Sequence, residues 1–283
     1  MQPFSKRSRR LFLIALILVF CIVAPAAALY ASGYRISDLS FAETGGIYIS
    51  APVSGADVSI NGKEEKTTSF ISRSVYVPDL KPGRYAVDVT LDDYYPWHKT
   101  LVVEAGLVTD IRALLVPNDL TFIPIRVSSP ASVATSSIDY VSKSEYALIR
   151  AAFATTTNPA VPDGLNASDV RNSESLYVDG GNVVVLWERN AASTPSEFCA
   201  TPSSCATEIV VKKAGSDPAT YARFFQGGVV YSTEHSGIFI ADADVREPQV
   251  VLPLYQKTGA EFRLVNNALI VEDPTGYYQV QGF

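Results

Sequence analysis

Cys199 and Cys205 enclose only five residues, ATPSS. Two thiols so near each other close a local disulfide when they face an oxidising compartment. A zinc site needs further ligands, and the two histidines, His98 and His235, stand far from the pair with no ligand spacing. Neither histidine has a nucleophile in a recognisable motif, because G-x-S-x-G and H-E-x-x-H are both absent. Both read as solvated, His235 in an exposed hairpin turn. Carboxylates are plentiful, with 29 Asp and Glu. A glycosidase needs only two of them about 5–9.5 Å apart, so a hydrolase built on a carboxylate pair stays open. The segment DADVRE brings Asp242, Asp244 and Glu247 together, but it lacks the spacing and closing glutamate of a calcium loop and reads as a solvated turn. No glycine-rich phosphate loop or dinucleotide fingerprint is present. The expectation is therefore no catalytic residue, no cofactor and no metal.

The other concentrated feature is aromatic. In RYAVDVTLDDYYPWHKTLVV two alternating runs reverse at Tyr94, Tyr95, Pro96 and Trp97. Such a cluster serves as packing that locks two strands, as a stacking platform for a ligand, or as a partner-binding tip. Aromatic rings in a small β-domain are more often core than site, so packing is the first reading.

These residues must be carried by elements, and the chain begins with one of its clearest. Lys6, Arg7, Arg9 and Arg10 precede Leu11 to Ala31, a run of 21 residues without a charge. That is membrane length, since about 20 apolar residues cross the hydrocarbon core. A signal peptide has a shorter apolar region, although APAAALYAS also suits a signal peptidase. The basic flank stays on the cytoplasmic side, which places everything after the span outside. Cys21, within the span, reads as a packed small hydrophobe. Without the four leading basic residues, the outer part holds 19 Lys and Arg against 29 acids, net −10. That balance argues against nucleic acid as a partner, and none is expected.

From Gly45 to Pro117 the sequence is short alternating strands, with Tyr85, Val87, Val89 and Leu91 on one face. Asn61-Gly62 suits a tight hairpin, and Pro82-Gly83 supplies a proline that presets φ before a glycine that accepts φ > 0. SAPVSGADVSING, LKPGRYAVDV and DDYYPWHKTLVVEAG occur in that order. With these motifs the region resembles the PEGA domain, a small β-sandwich module that recurs in bacterial envelope and exported proteins. The opening motif has one more residue between Pro52 and Gly55 than the family pattern and lacks its glutamate, and KTTS replaces G-x-T-P. The resemblance covers about a quarter of the chain. It implies a fold and no chemistry.

Beyond Pro117, three segments each read strand, tight turn, strand. Gly180, Gly227 and Asn266 mark equivalent turns at intervals of 47 and 39 residues. Repeats of that length built from antiparallel strands suggest propeller blades, three or four of them, or else a partial propeller or a set of meanders. Residues 154–174 read as a long loop that carries a glycosylation triplet at Asn166. The organisation expected is a cytoplasmic tail (1–10), a transmembrane helix (11–31), a linker (32–44), a PEGA-like β-sandwich (45–117) and a β-propeller-like domain (118–283). The function expected is a single-pass, membrane-anchored extracytoplasmic binding or scaffolding protein of the cell envelope. Its partner would be an envelope protein, a surface-layer component or a wall polysaccharide. The alternative is an envelope carbohydrate-active hydrolase with a carboxylate pair in the C-terminal β-domain.

Overall fold

The computed structural model describes residues 6–31, 34–37, 40–69, 72–128, 138–154, 169–171, 173–187 and 194–283. Helix α1 (Lys6–Ala31) is continuous through Pro25. Its residues Arg7–Ala31, at mean hydropathy 2.9, are long and apolar enough to cross a membrane, and the most apolar window is unburied. At helical rise those 25 residues reach about 38 Å, more than the ~30 Å hydrocarbon core. Cys21, read above as packed, is exposed on the helix surface. The segment expected as a linker includes two short strands. Strands β1 (Tyr34–Ser37) and β2 (Ser40–Glu43) form an antiparallel hairpin that pairs Tyr34 with Glu43. The chain therefore returns to the end of α1 before the next strand begins.

Seven strands follow: β3 (Gly45–Ser50), β4 (Asp57–Ile60), β5 (Lys63–Thr67), β6 (Ser74–Leu80), β7 (Gly83–Thr90), β8 (Trp97–Val103) and β9 (Val108–Arg112). They make a three-stranded sheet, β6-β3-β9, and a four-stranded sheet, β5-β4-β7-β8. The alternation legible in the sequence sends Ile47, Ile49 and Ile111 from one sheet, and Val58, Val87, Val89 and Leu101 from the other, into one core. Asn61 and Gly62 take φ of 51° and 76°, as a two-residue hairpin turn requires. Strand β5, KEEKT, has no apolar period to announce it, and its charged side chains suit a sheet edge. Pro82-Gly83 does not turn a hairpin. It carries the chain from β6 in one sheet to β7 in the other, and Gly83 is not among the residues with positive φ.

Ala113, Leu114, Leu115 and Val116 then lead to the C-terminal part, and all four are buried. The boundary expected at residue 117 thus follows a packed segment. The same apolar cluster continues into Tyr221, Phe225, Ile238, Ile240, Phe262 and Val271. The two units share one core.

The C-terminal part opens with β10 (Thr121–Val127), β11 (Asp139–Val141) and a second helix, α2 (Lys143–Ala154). This helix departs from the all-strand expectation. The backbone N–H of Glu145 donates to Ser142 Oγ at 3.2 Å, an N-terminal cap, and Ile149 and Phe153, one turn apart, are its buried residues. Strands β12 (Asp169–Arg171), β13 (Glu174–Asp179) and β14 (Asn182–Trp187) come next, then the short β15 (Cys199–Thr201) and β16 (Ser204–Cys205) and the longer β17 (Glu208–Lys212). After them run β18 (Ala219–Phe225), β19 (Gly228–Thr233), β20 (Gly237–Ala241), β21 (Val251–Tyr255), β22 (Glu261–Val265), β23 (Ala268–Asp273) and β24 (Gly276–Gln281).

These strands form the sheets β12-β13-β14-β17, β18-β19-β20-β21 and β11-β10-β24-β23-β22, together with the small β15-β16 pair. None closes on itself. The three turns expected to be equivalent are equivalent: residues 180–181, 226–227 and 266–267 each link two strands through two residues of positive φ. Strand β19 is buried along its whole length. Val229 and Tyr231 point toward the first of these sheets, and Val230 belongs to the core shared with the third sheet and the N-terminal unit. Most of the expected long loop, with Asn166, lies outside the described residues.

Candidate functional site

The period of two in β8 that buries Trp97 and Leu101 also turns Lys99 inward, where it is 1% exposed. An ammonium there must be compensated, because burying an unpaired charge costs several kcal/mol. Its partners come from the loop between β20 and β21. Lys99 Nζ donates to the carbonyls of Arg246 (2.6 Å) and Pro248 (3.1 Å) and pairs with Asp242 Oδ2 at 2.9 Å, with Asp244 Oδ1 at 4.0 Å. Arg246 grips Asp244 through two guanidinium bonds of 2.8 and 2.6 Å and donates from its third nitrogen to the Asp110 carbonyl on β9 at 2.8 Å. The backbone N–H of Thr100 donates to the Glu247 carbonyl at 3.1 Å. Burial pushes the Asp242 carboxyl up to about 6 and the Asp244 charge adds to this, while the Lys99 ammonium and the Val250 N–H pull it down. Two cations thus meet two buried carboxylates, and the arrangement fastens the 242–250 loop to the N-terminal unit.

Asp242 and Asp244 are accordingly not in the solvated turn expected for DADVRE; both are buried and ion-paired. Beside this seam lies a cleft of about 550 Å³, lined by Asp110 and Arg112 from one unit and by Glu174, Glu197, Asp244 and Arg246 from the other. Its lining is polar and includes no aromatic residue. Parity along β8 was the one available signal for Lys99.

The aromatic turn lies on the same connection between units. Tyr94 forms a β-bridge with Pro117, Tyr95 N–H donates to the Val116 carbonyl at 2.9 Å, and Asn118 N–H donates to the Asp93 carbonyl at 2.9 Å. Trp97 is fully buried, and Tyr94 and Tyr95 are half-buried against the shared core. The indole N–H of Trp97 has no hydrogen-bond partner among the described residues. The turn packs, and what it locks is the link into the second unit. His98 is exposed, and His235 is exposed in the β19–β20 turn, as expected.

Cys199 and Cys205 are joined as a disulfide between β15 and β16, in the connection from β14 to β17 of one sheet. Ser203, inside that loop, donates to Glu104 Oε1 at 2.7 Å. Hydrogen bonds from Thr201 and Ser203 hold the Glu104 carboxyl below its ordinary value. The loop is docked on the N-terminal unit at this point. A further polar knot surrounds Asp273, whose side chain is buried and takes bonds from Tyr255 Oη (2.6 Å) and Thr275 N (2.7 Å) and an ion pair from Lys257. Burial raises this carboxyl, but the bonds from Lys257, Thr275 and Tyr255 prevail and keep it well below the usual range. Among the described residues no group of three or more His, Cys, Asp or Glu is placed to hold a metal ion. No protein-family model matches the chain, and no curated protein matches it.

Proposed function

We propose that this chain is a single-pass, membrane-anchored extracytoplasmic protein of the cell envelope that binds or scaffolds a partner through a rigid β-body. The carrying observation is the junction of an unburied apolar helix to two β-units that share one core. A helix so apolar needs a lipid surrounding, and its basic N-terminal flank favours a cytoplasmic N-terminus with the body outside. The two-sheet N-terminal unit and the motifs it contains support the PEGA-like sandwich. Three consecutive sheets with the same two-residue hairpin support a propeller-like C-terminal domain, and β10 completes the last of them by pairing with β24. The proposed partner is an envelope protein, a surface-layer component or a wall polysaccharide. Asp242 and Asp244 are engaged by Lys99 and Arg246, and this favours a structural over an acid-base role for them. Cross-linking the protein in its native envelope and identifying what it holds tests the proposal. Capture of a recurring envelope component supports it, and capture of lipid alone overturns it.

A further inference from the structure

We infer that the anchor end of the outward face of sheet β6-β3-β9 rests in the lipid headgroup region of the bilayer that α1 crosses, with Tyr48 and Tyr76 as interfacial side chains. This builds on the membrane-anchored reading and adds the orientation of the body on the lipid surface.

The register fixes what that face presents. Gly46 lies beside Val108, Tyr48 lies between Tyr76 and Asp110, and Ser50 lies between Ser74 and Arg112. The face is therefore graded from one end to the other. Toward the start of β3 it shows Val108, Tyr76 and Tyr48, with Leu107 adjoining; these are 49%, 45%, 39% and 42% exposed, a run of large apolar and aromatic groups left in solvent. The Tyr48 rung already carries Asp110 at its β9 side, and the next rung carries Arg112; both line the polar cleft. Tyr76 lies across β3: a Cβ at Gly46 would stand 2.7 Å from its ring, so glycine there lets the ring lie down on the strand.

The apolar end is the one beside the anchor. Tyr30 and Ala31, the last two residues of α1, line a depression of about 330 Å³ together with Gly46, Tyr76, Leu107 and Val108. The β1–β2 hairpin keeps the path from helix to β3 short. A membrane that ends near Tyr30 thus lies beside this edge of the sheet. Tyrosine suits that position, because its ring is apolar and its hydroxyl remains wet, and Tyr is enriched at membrane–water interfaces. Asp79 on the same rim makes a zwitterionic headgroup surface a better match than an anionic one.

The test uses the full chain, one copy per phosphatidylcholine nanodisc, with Tyr48→Trp and Val108→Trp made singly and the unsubstituted chain supplying the background of Trp97 and Trp187. Both variants should emit at shorter wavelength than a water-exposed indole and lose fluorescence when the acyl chains are brominated near the headgroup. Water-like emission without quenching in both, in a chain that resists alkaline extraction, overturns the inference while the anchor reading stands. A chain that alkali removes from vesicles overturns both. Blue-shifted emission that bromination leaves unchanged, and that appears only with several chains per disc, assigns the face to a second copy and overturns the lipid contact.

Discussion

Lys99 and Asp242 show at single-residue scale how much one buried pair is asked to do. Lys99→Met leaves the Asp242 carboxyl buried without its cation, and unfolding in urea should show a loss of about 3–5 kcal/mol at pH 7. Adding Asp242→Leu should recover part of it, because no lone charge then remains. The raised Asp242 carboxyl also predicts a pH effect. A group whose folded pKa exceeds its unfolded value contributes stability that is fully present below about 3.8 and is lost as pH rises through about 6. Asp242→Asn should therefore gain on the native chain, on the order of 2 kcal/mol, between pH 4 and 7. Equal pH slopes for the two would contradict the assignment. Trp97→Ala should cost about 3–5 kcal/mol as a buried ring is removed, and an unchanged melting temperature would return the turn to ligand stacking. Trp97 was legible as core from its place in the reversal, and Lys99 was legible only as inward-facing. Its partners were not, because pairing across units depends on a loop far along the chain that no local pattern ties to β8.

Elements with a local signal were the readable ones. The two-residue turns at 180–181, 226–227 and 266–267 announce themselves through Gly and Asn, which accept positive φ at little cost. The Cys199–Cys205 link was readable for the same reason. It closes a short loop, so Cys199→Ser with Cys205→Ser should lower stability by about 2 kcal/mol or less in denaturant melts and leave the sheet in place. A global loss of structure would mean that the loop organises the domain. Helix α2 carries its own signal, Ser142 followed three residues later by Glu145 ahead of Tyr146, Ile149 and Phe153, but it stands among strands and is easily passed over. Ser142→Ala should cost about 1 kcal/mol and raise amide exchange in the first turn. The pairing of β10 with β24 has no local signal, since the two strands lie at opposite ends of the C-terminal part.

At the scale of the whole molecule, the shared core, the buried 113–116 segment and the Lys99 seam join two units that the sequence presents as separate domains. Everything proposed about the protein's role depends on these units standing outside the cytoplasm at the end of α1. The direct measurement is protease added to intact, wall-stripped cells that carry the chain with a tag after Phe283. The tag should be lost from intact cells while a cytoplasmic control protein survives. A tag that stays protected until the cells are lysed would contradict the orientation, and with it the proposed place of this protein in the envelope.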